Sequence, residues 1–300
     1  MEYINIGSTG LRVSRMGFGT GSSGFTGVNE QTRLTVKELA GLLNYSLDRG
    51  INFWDTGYSY GTYPHIREAL KTASREKVVI ATKFSDSLRK SAEKKIDETL
   101  TALKTGYLDI CLLHGVRNTF EVRVRRGALD AMKRAKEKGH IRMIGLSAHG
   151  IGGIEAALDC PEVEIIFARI NWSGACMDAY QENFLSKVVA VPYVKEVARK
   201  IIPRGLVPSF SAQVESMQSS ATDQERVKAL LSKCRESGKT VVGMKIFGAG
   251  KLAGEVERSL KFAMAFKDMD AFLLGMVSRK EIDENLRIYD SLKSPSLRTA

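Results

Sequence analysis

The sequence contains few cysteines, and their spacing suits no common cysteine-based site. Its 300 residues include four cysteines, which lie far apart and form no CxxC pair. This spacing argues against a structural zinc, an iron–sulfur cluster and a disulfide scaffold, so we expect no metal. A reducing cytoplasm is the expected compartment. The cysteines are Cys111, Cys160, Cys176 and Cys234.

Long apolar runs are also absent. No stretch approaches the ~20 apolar residues of a membrane-spanning helix, so we expect no membrane span. Residues 1–7 lack a basic segment followed by an apolar core, and we expect no signal peptide. No G-x-G-x-x-G motif opens a strand–helix–strand unit, which leaves a Rossmann fold with little support.

Basic residues exceed acidic residues, 45 against 34, which gives a net charge of +11. Such an excess suits an anionic partner, such as nucleic acid, a membrane surface or a phosphorylated cofactor, and it equally suits a solvated basic surface. The longest basic patches, residues 123–126 and 133–138, lie in helix-like segments without interleaved aromatic side chains. We therefore expect no nucleic-acid partner.

Short apolar strands alternate with helix-like segments from Met16 onward. Eight strand–helix units in a chain of this length predict a (β/α)8 TIM barrel, with residues 1–300 as one domain. Residues 2–13, with a glycine turn at 7–10, predict a β-hairpin before the barrel. The predicted strands begin near residues 16, 51, 78, 108, 141, 163, 240 and 271, and the predicted helices cover about 35–49, 64–73, 90–105, 123–138, 151–158, 223–234, 253–266 and 279–291.

One connection is much longer than the others. About 70 residues separate Asn171 from Thr240, several times the usual crossover. Only residues 223–234 have the expected helical pattern, so about 172–222 form an insertion after the sixth strand. On a barrel this insertion would project from the catalytic face as a substrate lid, an oligomer contact or a structural patch. The oligomeric state stays open.

Four chemically active side chains fall at or just after the ends of three successive predicted strands. Asp55, Lys83 and His114 each end a strand, and Tyr60 follows Asp55 by five positions. A nearby ammonium would lower the phenol pKa from its usual ~10, and the aspartate would keep that ammonium charged. The histidine would orient a substrate oxygen. The set suits protonation of a carbonyl oxygen while a cofactor supplies hydride.

Each of these residues also has an ordinary structural explanation. A strand-end lysine is commonly a salt-bridge partner, and a histidine after two leucines is commonly a core residue. Tyr58 and Tyr63 compete with Tyr60 as the phenol. A further alternative is a lyase or aldolase that uses Lys83 as a Schiff-base amine, which a protonating aspartate disfavours.

The segment from Asp55 to Gly61 resembles the D-T-A-x-x-Y-G signature of the aldo-keto reductase family, with Gly57 at the usual alanine. The resemblance covers nearly the whole chain except the insertion. It is nearest to a bacterial subgroup that often carries an iron–sulfur region, whose cysteine pattern is absent here. The remaining matched segments are residues 7–14, 17–20, 145–147, 248–252 and 284–286, together with Lys83 and His114.

The resemblance implies an NAD(P)H-dependent enzyme that reduces an aldehyde or ketone to an alcohol, reversibly. Tyr60 would be the general acid, Lys83 and Asp55 would tune it, and His114 would orient the carbonyl. The alternative within the same scaffold is a nucleotide-binding regulatory or interaction protein. The substrate stays undefined. Trp54, Trp172 and Tyr180 suit the apolar wall of a substrate site and suit the core equally.

The resemblance also implies an extended NADP(H) or NAD(H) site at the barrel mouth. Three departures from the family pattern bear on it: Ala148 replaces an asparagine, Phe167 replaces a glutamine, and Glu281 replaces an arginine that commonly serves NADP. A carboxylate at that position would repel a 2′-phosphate, whereas the neighbouring Arg279 and Lys280 would attract it. The implied cofactor-binding residues are Gly19, Thr20, Ser147, Asn171, Met244, Lys245, Phe247, Gly248, Gly250, Ser278, Arg279, Glu281 and Asn285.

Overall fold

A computed structural model describes residues 1–7, 9–21, 24–25, 28–177 and 220–293. Most of the predicted insertion, including Tyr180, lies outside these residues. Twelve strands are assigned among them: β1 Tyr3–Ile6, β2 Leu11–Ser14, β3 Met16–Gly19, β4 Gly24–Phe25, β5 Val28–Asn29, β6 Phe53–Asp55, β7 Val79–Phe84, β8 Leu108–Val116, β9 Ile141–Ala148, β10 Ile165–Arg169, β11 Thr240–Met244 and β12 Ala271–Gly275.

Eight of these strands form a closed parallel barrel in the order β3-β6-β7-β8-β9-β10-β11-β12, with β12 paired to β3. Strand order therefore follows chain order, as the alternating pattern predicted. The helices are α1 Val36–Asp48, α2 Tyr63–Ala69, α3 Arg89–Leu103, α4 Thr119–Val124, α5 Arg126–Glu137, α6 Ile151–Leu158, α7 Ala221–Glu236, α8 Val256–Ala265 and α9 Arg279–Lys293. None of the described helices is long and apolar enough to cross a membrane.

Helix α1 shows how local sequence produces the outer layer. Thr35 caps its N-terminus in a reciprocal capping box with Glu38, which satisfies two backbone donors at that end. Leu39, Leu42 and Leu43 share one face and are buried, because their spacing matches the helical repeat. The helix thus packs its apolar face toward the barrel and its polar face toward solvent.

Side-chain alternation along the strands separates two apolar cores. Phe53 on β6 and Phe167 on β10 belong to the core inside the barrel, and their rings meet edge to face with centroids 6.1 Å apart. Their neighbours Trp54 and Ala168 point the other way, into the core between strands and helices. Of the two roles open to Trp54, a substrate wall or a core residue, the structure shows the core role, because its strand position faces the helical layer.

The N-terminal hairpin of β1 and β2 closes one end of the barrel. Ile6, Leu11 and Val13 belong to the inner apolar core. The backbone N–H of Gly7 donates to Thr240 Oγ1 at 3.1 Å, which ties the hairpin to the start of β11. With this end filled, the C-terminal ends of the strands form the open mouth.

Candidate active site

Strand parity directs three of the four predicted catalytic side chains into the mouth. Asp55 lies two residues beyond Phe53, which faces the barrel interior. Lys83 follows Ala81 on β7, and His114 follows Leu112 on β8, with the same two-residue spacing. Since alternate residues of a strand share a face, these side chains lie above the inner apolar core.

Asp55 and Lys83 form a buried ion pair across neighbouring strands. Lys83 Nζ donates to Asp55 Oδ1 at 2.5 Å, and Lys83 is 1% exposed. Burial raises the pKa of Asp55, although the lysine opposes this rise. Burial also opposes the charge on Lys83, but Asp55 and Tyr60 outweigh that effect and raise its pKa. The ammonium is therefore held charged in a fixed position.

Tyr60 is the phenol that this ammonium faces. Lys83 Nζ lies 4.9 Å from the centroid of the Tyr60 ring. Tyr58 is instead exposed and donates to Glu98 at 2.9 Å. Tyr63 is buried in the outer core, which leaves Tyr60 alone of the three beside the lysine.

The pKa of Tyr60 differs from the expectation from sequence. Burial raises it, and Lys83 only partly opposes that rise. The ammonium thus lowers the pKa of Tyr60 by less than burial raises it. Tyr60 is consequently protonated at neutral pH, which is the state that a proton donor needs.

His114 lies beside the phenol ring. The two ring centroids are 5.7 Å apart, in an edge-to-face arrangement. Burial, Lys83 and other nearby cations hold the pKa of His114 well below its usual 6.5, so the imidazole is neutral at pH 7. Arg125 donates to the carbonyl of His114 at 2.9 Å and holds the strand end.

Two further polar residues at the mouth were missed in the sequence reasoning. His149 follows the end of β9, and its ring centroid lies 5.7 Å from that of His114. Arg169 ends β10, and its Nη2 donates to His149 Nδ1 at 3.1 Å. Strand parity was the signal that could have found Arg169, because it lies two residues beyond the inward-facing Phe167.

A cleft of about 670 Å³ extends from Asp55 and Tyr60 toward the start of α9. This volume is in the usual range for a small-molecule or cofactor site. Part of its wall is the turn from Phe247 to Gly250, where Gly248, Ala249 and Gly250 all have positive φ. The residues named as cofactor contacts that line this cleft are Gly19, Met244, Lys245, Phe247, Gly250, Glu281 and Asn285.

Other residues named as cofactor contacts have structural roles nearby. The Thr20 hydroxyl donates to the carbonyl of Asp55 at 2.9 Å and holds the end of β6. Gly248 is buried, and its N–H donates to Lys245 O at 2.8 Å. Ser278 Oγ accepts from the N–H of Glu281 at the start of α9. None of these three residues lines the cleft.

Asn171 and Ser147 also form internal hydrogen bonds. Asn171 Nδ2 donates to the carbonyls of Ala175 and Lys245, and its Oδ1 accepts from the N–H groups of Ser173 and Ala175. Both donors and both acceptor positions of this amide are therefore used within the protein, three of them inside the loop and one at Lys245. Ser147 Oγ accepts from Gly115 N at 2.9 Å, and the side chain is fully buried outside the cleft lining.

Carboxylates are frequent at the end of the cleft where the sequence predicts that the adenosine would lie. Glu281 and Glu284 line the cleft beside α9, and Glu30 and Arg33 line it from the opposite segment. Glu281 Oε2 accepts from Val277 N at 2.8 Å, which fixes its carboxylate at the helix start. The guanidinium of Arg279 lies 4.8 Å from the Tyr45 ring centroid and outside the cleft lining.

Comparisons with known proteins agree with this architecture. The Aldo/keto reductase family matches residues 15–296. A protein named L-galactose dehydrogenase from Arabidopsis thaliana is 26% identical over 98% of this chain and 90% of its own length. The holo form of an aldo-keto reductase from Bacillus halodurans has a TM-score of 0.65 at 18% identity, covering 97% of this chain and 91% of that one. A thermostable aldo-keto reductase in complex with the inhibitor epalrestat has a TM-score of 0.64 at 20% identity, with 97% and 94% covered.

Proposed function

The chain belongs to the aldo/keto reductase family, and we propose that it reduces an aldehyde or ketone to an alcohol with NADH or NADPH. Tyr60 is the proposed general acid. The observation that carries this proposal is the convergence of a buried Asp55–Lys83 ion pair, a protonated phenol and a neutral imidazole at one end of the barrel. These groups can protonate a carbonyl oxygen as its carbon is reduced.

Tyr60 donates the proton in this proposal. Its raised pKa keeps the proton on the phenol until negative charge develops on the substrate oxygen. The Lys83 ammonium beside it then stabilises the phenolate that remains. Asp55 keeps that ammonium in place through its short hydrogen bond. The alcohol product leaves with the proton on its oxygen.

His114 orients the carbonyl. A neutral imidazole carries one N–H donor, which can bind the same oxygen that Tyr60 protonates. The edge-to-face contact between the two rings places both groups on one side of the mouth. Because the His114 pKa is held well below 6.5, this donor does not compete with Tyr60 as an acid.

The cleft fits a dinucleotide cofactor. Asp55 and Tyr60 line one end of the cleft, and a nicotinamide held there would supply the hydride. The left-handed backbone from Gly248 to Gly250 allows a phosphate to approach closely, and Lys245 adds positive charge to the same wall. Glu281 and Asn285 would contact the adenosine end. We further propose that the carboxylates there favour NADH over NADPH.

The test compares two tyrosine variants that differ in place but not in chemistry. Tyr60→Phe removes the proposed acid, whereas Tyr58→Phe removes an exposed hydroxyl bonded to Glu98. In Tyr60→Phe, we expect the rate of aldehyde-dependent NAD(P)H oxidation to fall at least about 1,000-fold. The nucleotide should still bind this variant and quench its tryptophan fluorescence. Tyr58→Phe should retain turnover. The substrate panel includes L-galactose with the oxidised nucleotide, because the Arabidopsis relative is named for that oxidation.

Two other activities give different results in the same assay. A Schiff-base enzyme needs a neutral Lys83 amine, and Asp55 and Tyr60 instead raise the pKa of that lysine. A nucleotide-binding regulatory protein would bind NADH or NADPH without reducing any carbonyl of the panel. The insertion on which that alternative depends lies largely outside the described residues.

We propose the cytoplasm as the location of the protein. Its four buried free cysteines suit that reducing compartment.

A further inference from the structure

His149 is a polar side chain at the mouth for which the proposed reduction has no role. It follows β9 by one residue and is only half-buried. Its ring meets His114 edge to face, and His114 meets Tyr60 in the same way. The His114 ring therefore contacts both the proposed proton donor and His149.

The contact with Arg169 determines where His149 carries its proton. A guanidinium has donors and no acceptor, so the hydrogen bond of 3.1 Å from Arg169 Nη2 requires His149 Nδ1 to accept. Burial and neighbouring cations, Arg169 first among them, hold the pKa of His149 well below 6.5. The ring is therefore neutral, and its single proton lies on Nε2. His149 thus offers one N–H donor of defined position.

The His149 ring lies close to the ring that is proposed to bind the reacting oxygen. The His114 and His149 ring centroids are 5.7 Å apart, and each N–H reaches an acceptor at about 2.9 Å. Two such donors can bind two oxygens that are attached to neighbouring carbon atoms. If His114 binds the carbonyl oxygen, His149 is placed for an oxygen on the adjacent carbon.

We propose that His149, held by Arg169, binds a hydroxyl group on the carbon next to the reacting carbonyl, so that the enzyme selects 2-hydroxy aldehydes and ketones. The inference rests on the proposed carbonyl reduction and names its substrate class. His149 is a specificity-determining residue in this reading, and Arg169 is a positioning residue that acts through it. The hydroxyl oxygen accepts a hydrogen bond from the Nε2–H, and the hydroxyl can donate its own proton in a hydrogen bond to solvent or protein.

The kinetic test uses propanal and 2-hydroxypropanal, which differ by one hydroxyl. The wild-type enzyme is expected to favour 2-hydroxypropanal about tenfold in kcat/KM, since a site built for a hydroxyl discriminates against its absence. His149→Phe should abolish this preference and leave kcat/KM for propanal nearly unchanged. Equal loss for both aldehydes would mean a structural role and would overturn the inference.

A matched pair of amide variants tests the position of the donor. His149→Gln carries its amide nitrogen near the place of Nε2 and should keep most of the preference. His149→Asn carries it near the place of Nδ1 and should lose the preference. The reverse order would show that Nδ1 faces the substrate and would overturn the assigned tautomer.

A binding measurement separates this inference from the proposed reaction. In Tyr60→Phe, which blocks proton transfer, ¹⁵N NMR follows the His149 ring nitrogens during titration with each aldehyde. The Nε2 resonance is expected to shift with 2-hydroxypropanal and not with propanal, and Arg169→Met should weaken that shift. A shift without wild-type turnover would overturn the reductase proposal alone. Turnover of both aldehydes without a selective shift would overturn the His149 subsite alone.

Discussion

Lys83 Nζ lies 2.5 Å from Asp55 Oδ1, on neighbouring strands of a closed barrel, and both side chains are nearly excluded from solvent. An ion pair this deeply buried gains little stability from its charges alone, because desolvation offsets most of their attraction. Its value lies in position: it fixes one positive charge beside the Tyr60 ring. Removing one partner leaves the other charge buried and unpaired, which costs more stability than removing both partners together.

The first prediction concerns that pair. Asp55→Asn leaves a buried ammonium without its carboxylate, and we expect a loss of about 3–5 kcal/mol in the free energy of unfolding. Asp55→Asn combined with Lys83→Met should cost less than the sum of the single changes. Urea denaturation measures all three variants. Glu68→Gln is the control, because it breaks the exposed Glu68–Lys71 pair and should cause no measurable change. Additive losses would contradict the prediction.

A second prediction concerns the pH dependence of reduction. Tyr60 with a raised pKa stays protonated through neutral pH and loses its proton only above its ordinary ~10. Reduction should therefore keep a constant kcat/KM from about pH 6 to about pH 9 and fall only at higher pH. The neutral His114 adds no step near 6.5, because its pKa lies well below that value. A fall centred near pH 7 in steady-state kinetics would refute this assignment.

The third prediction concerns the glycine beside the phenol. A Cβ at Gly21 would lie 2.5 Å from Tyr60 Cε2, so Gly21→Ala must displace the ring from Lys83. We expect kcat to fall on the order of 100-fold, since small misplacement of a reacting group is costly. At Gly57 the nearest atoms are 3.2–3.3 Å away, and Gly57→Ala should lose much less activity. Equal kcat values for the two variants would contradict this account.

A fourth prediction concerns the nucleotide. NADH should bind more tightly than NADPH, because Glu281 and Glu284 line the end of the cleft where a 2′-phosphate would lie. Glu281→Gln removes one charge and keeps an amide oxygen to accept from Val277 N. This variant should bind NADPH about fivefold more tightly, with little change for NADH. Fluorescence titration gives both dissociation constants, and tighter wild-type binding of NADPH would show that cations such as Arg33 dominate.

The fifth prediction concerns the barrel wall. A Cβ at Gly145 on β9 would collide with the backbone carbonyl of Ile165 on β10, which has no room to move. Gly145→Ala should lower the free energy of unfolding by more than about 3 kcal/mol. Gly41→Ala, in helix α1 with open space around it, should raise that energy by about 0.5–1 kcal/mol. Both changes are read from urea midpoints.

Much of this architecture followed from local pattern. Apolar strands that alternate with helix-like segments predicted the barrel, and the structure closes all eight strands in chain order. The predicted end of the second strand at Asp55 agrees with β6. Two-residue spacing from inward apolar positions also directs Lys83 and His114 into the mouth. These results were accessible because strand periodicity is a property of neighbouring residues.

Other features required side chains that are distant in sequence. From the sequence, Trp54 suited a substrate wall and the core equally, and its strand position in the structure faces the helical layer. Asn171 looked like a cofactor contact, yet four hydrogen bonds within its own loop and to Lys245 use its amide fully. The ring contacts of His114 with Tyr60 and His149 join residues at or just after three separate strands. These strand ends meet only when the barrel closes.

The sequence by itself therefore determined the order of strands and helices and the chemical groups at the strand ends, since both depend on short-range periodicity. Tertiary structure decided which phenol faces Lys83, the direction of the Tyr60 pKa, and the pairing of Arg169 with His149. Those outcomes depend on burial and on distances between separate strands, and such distances exist only after the barrel has closed.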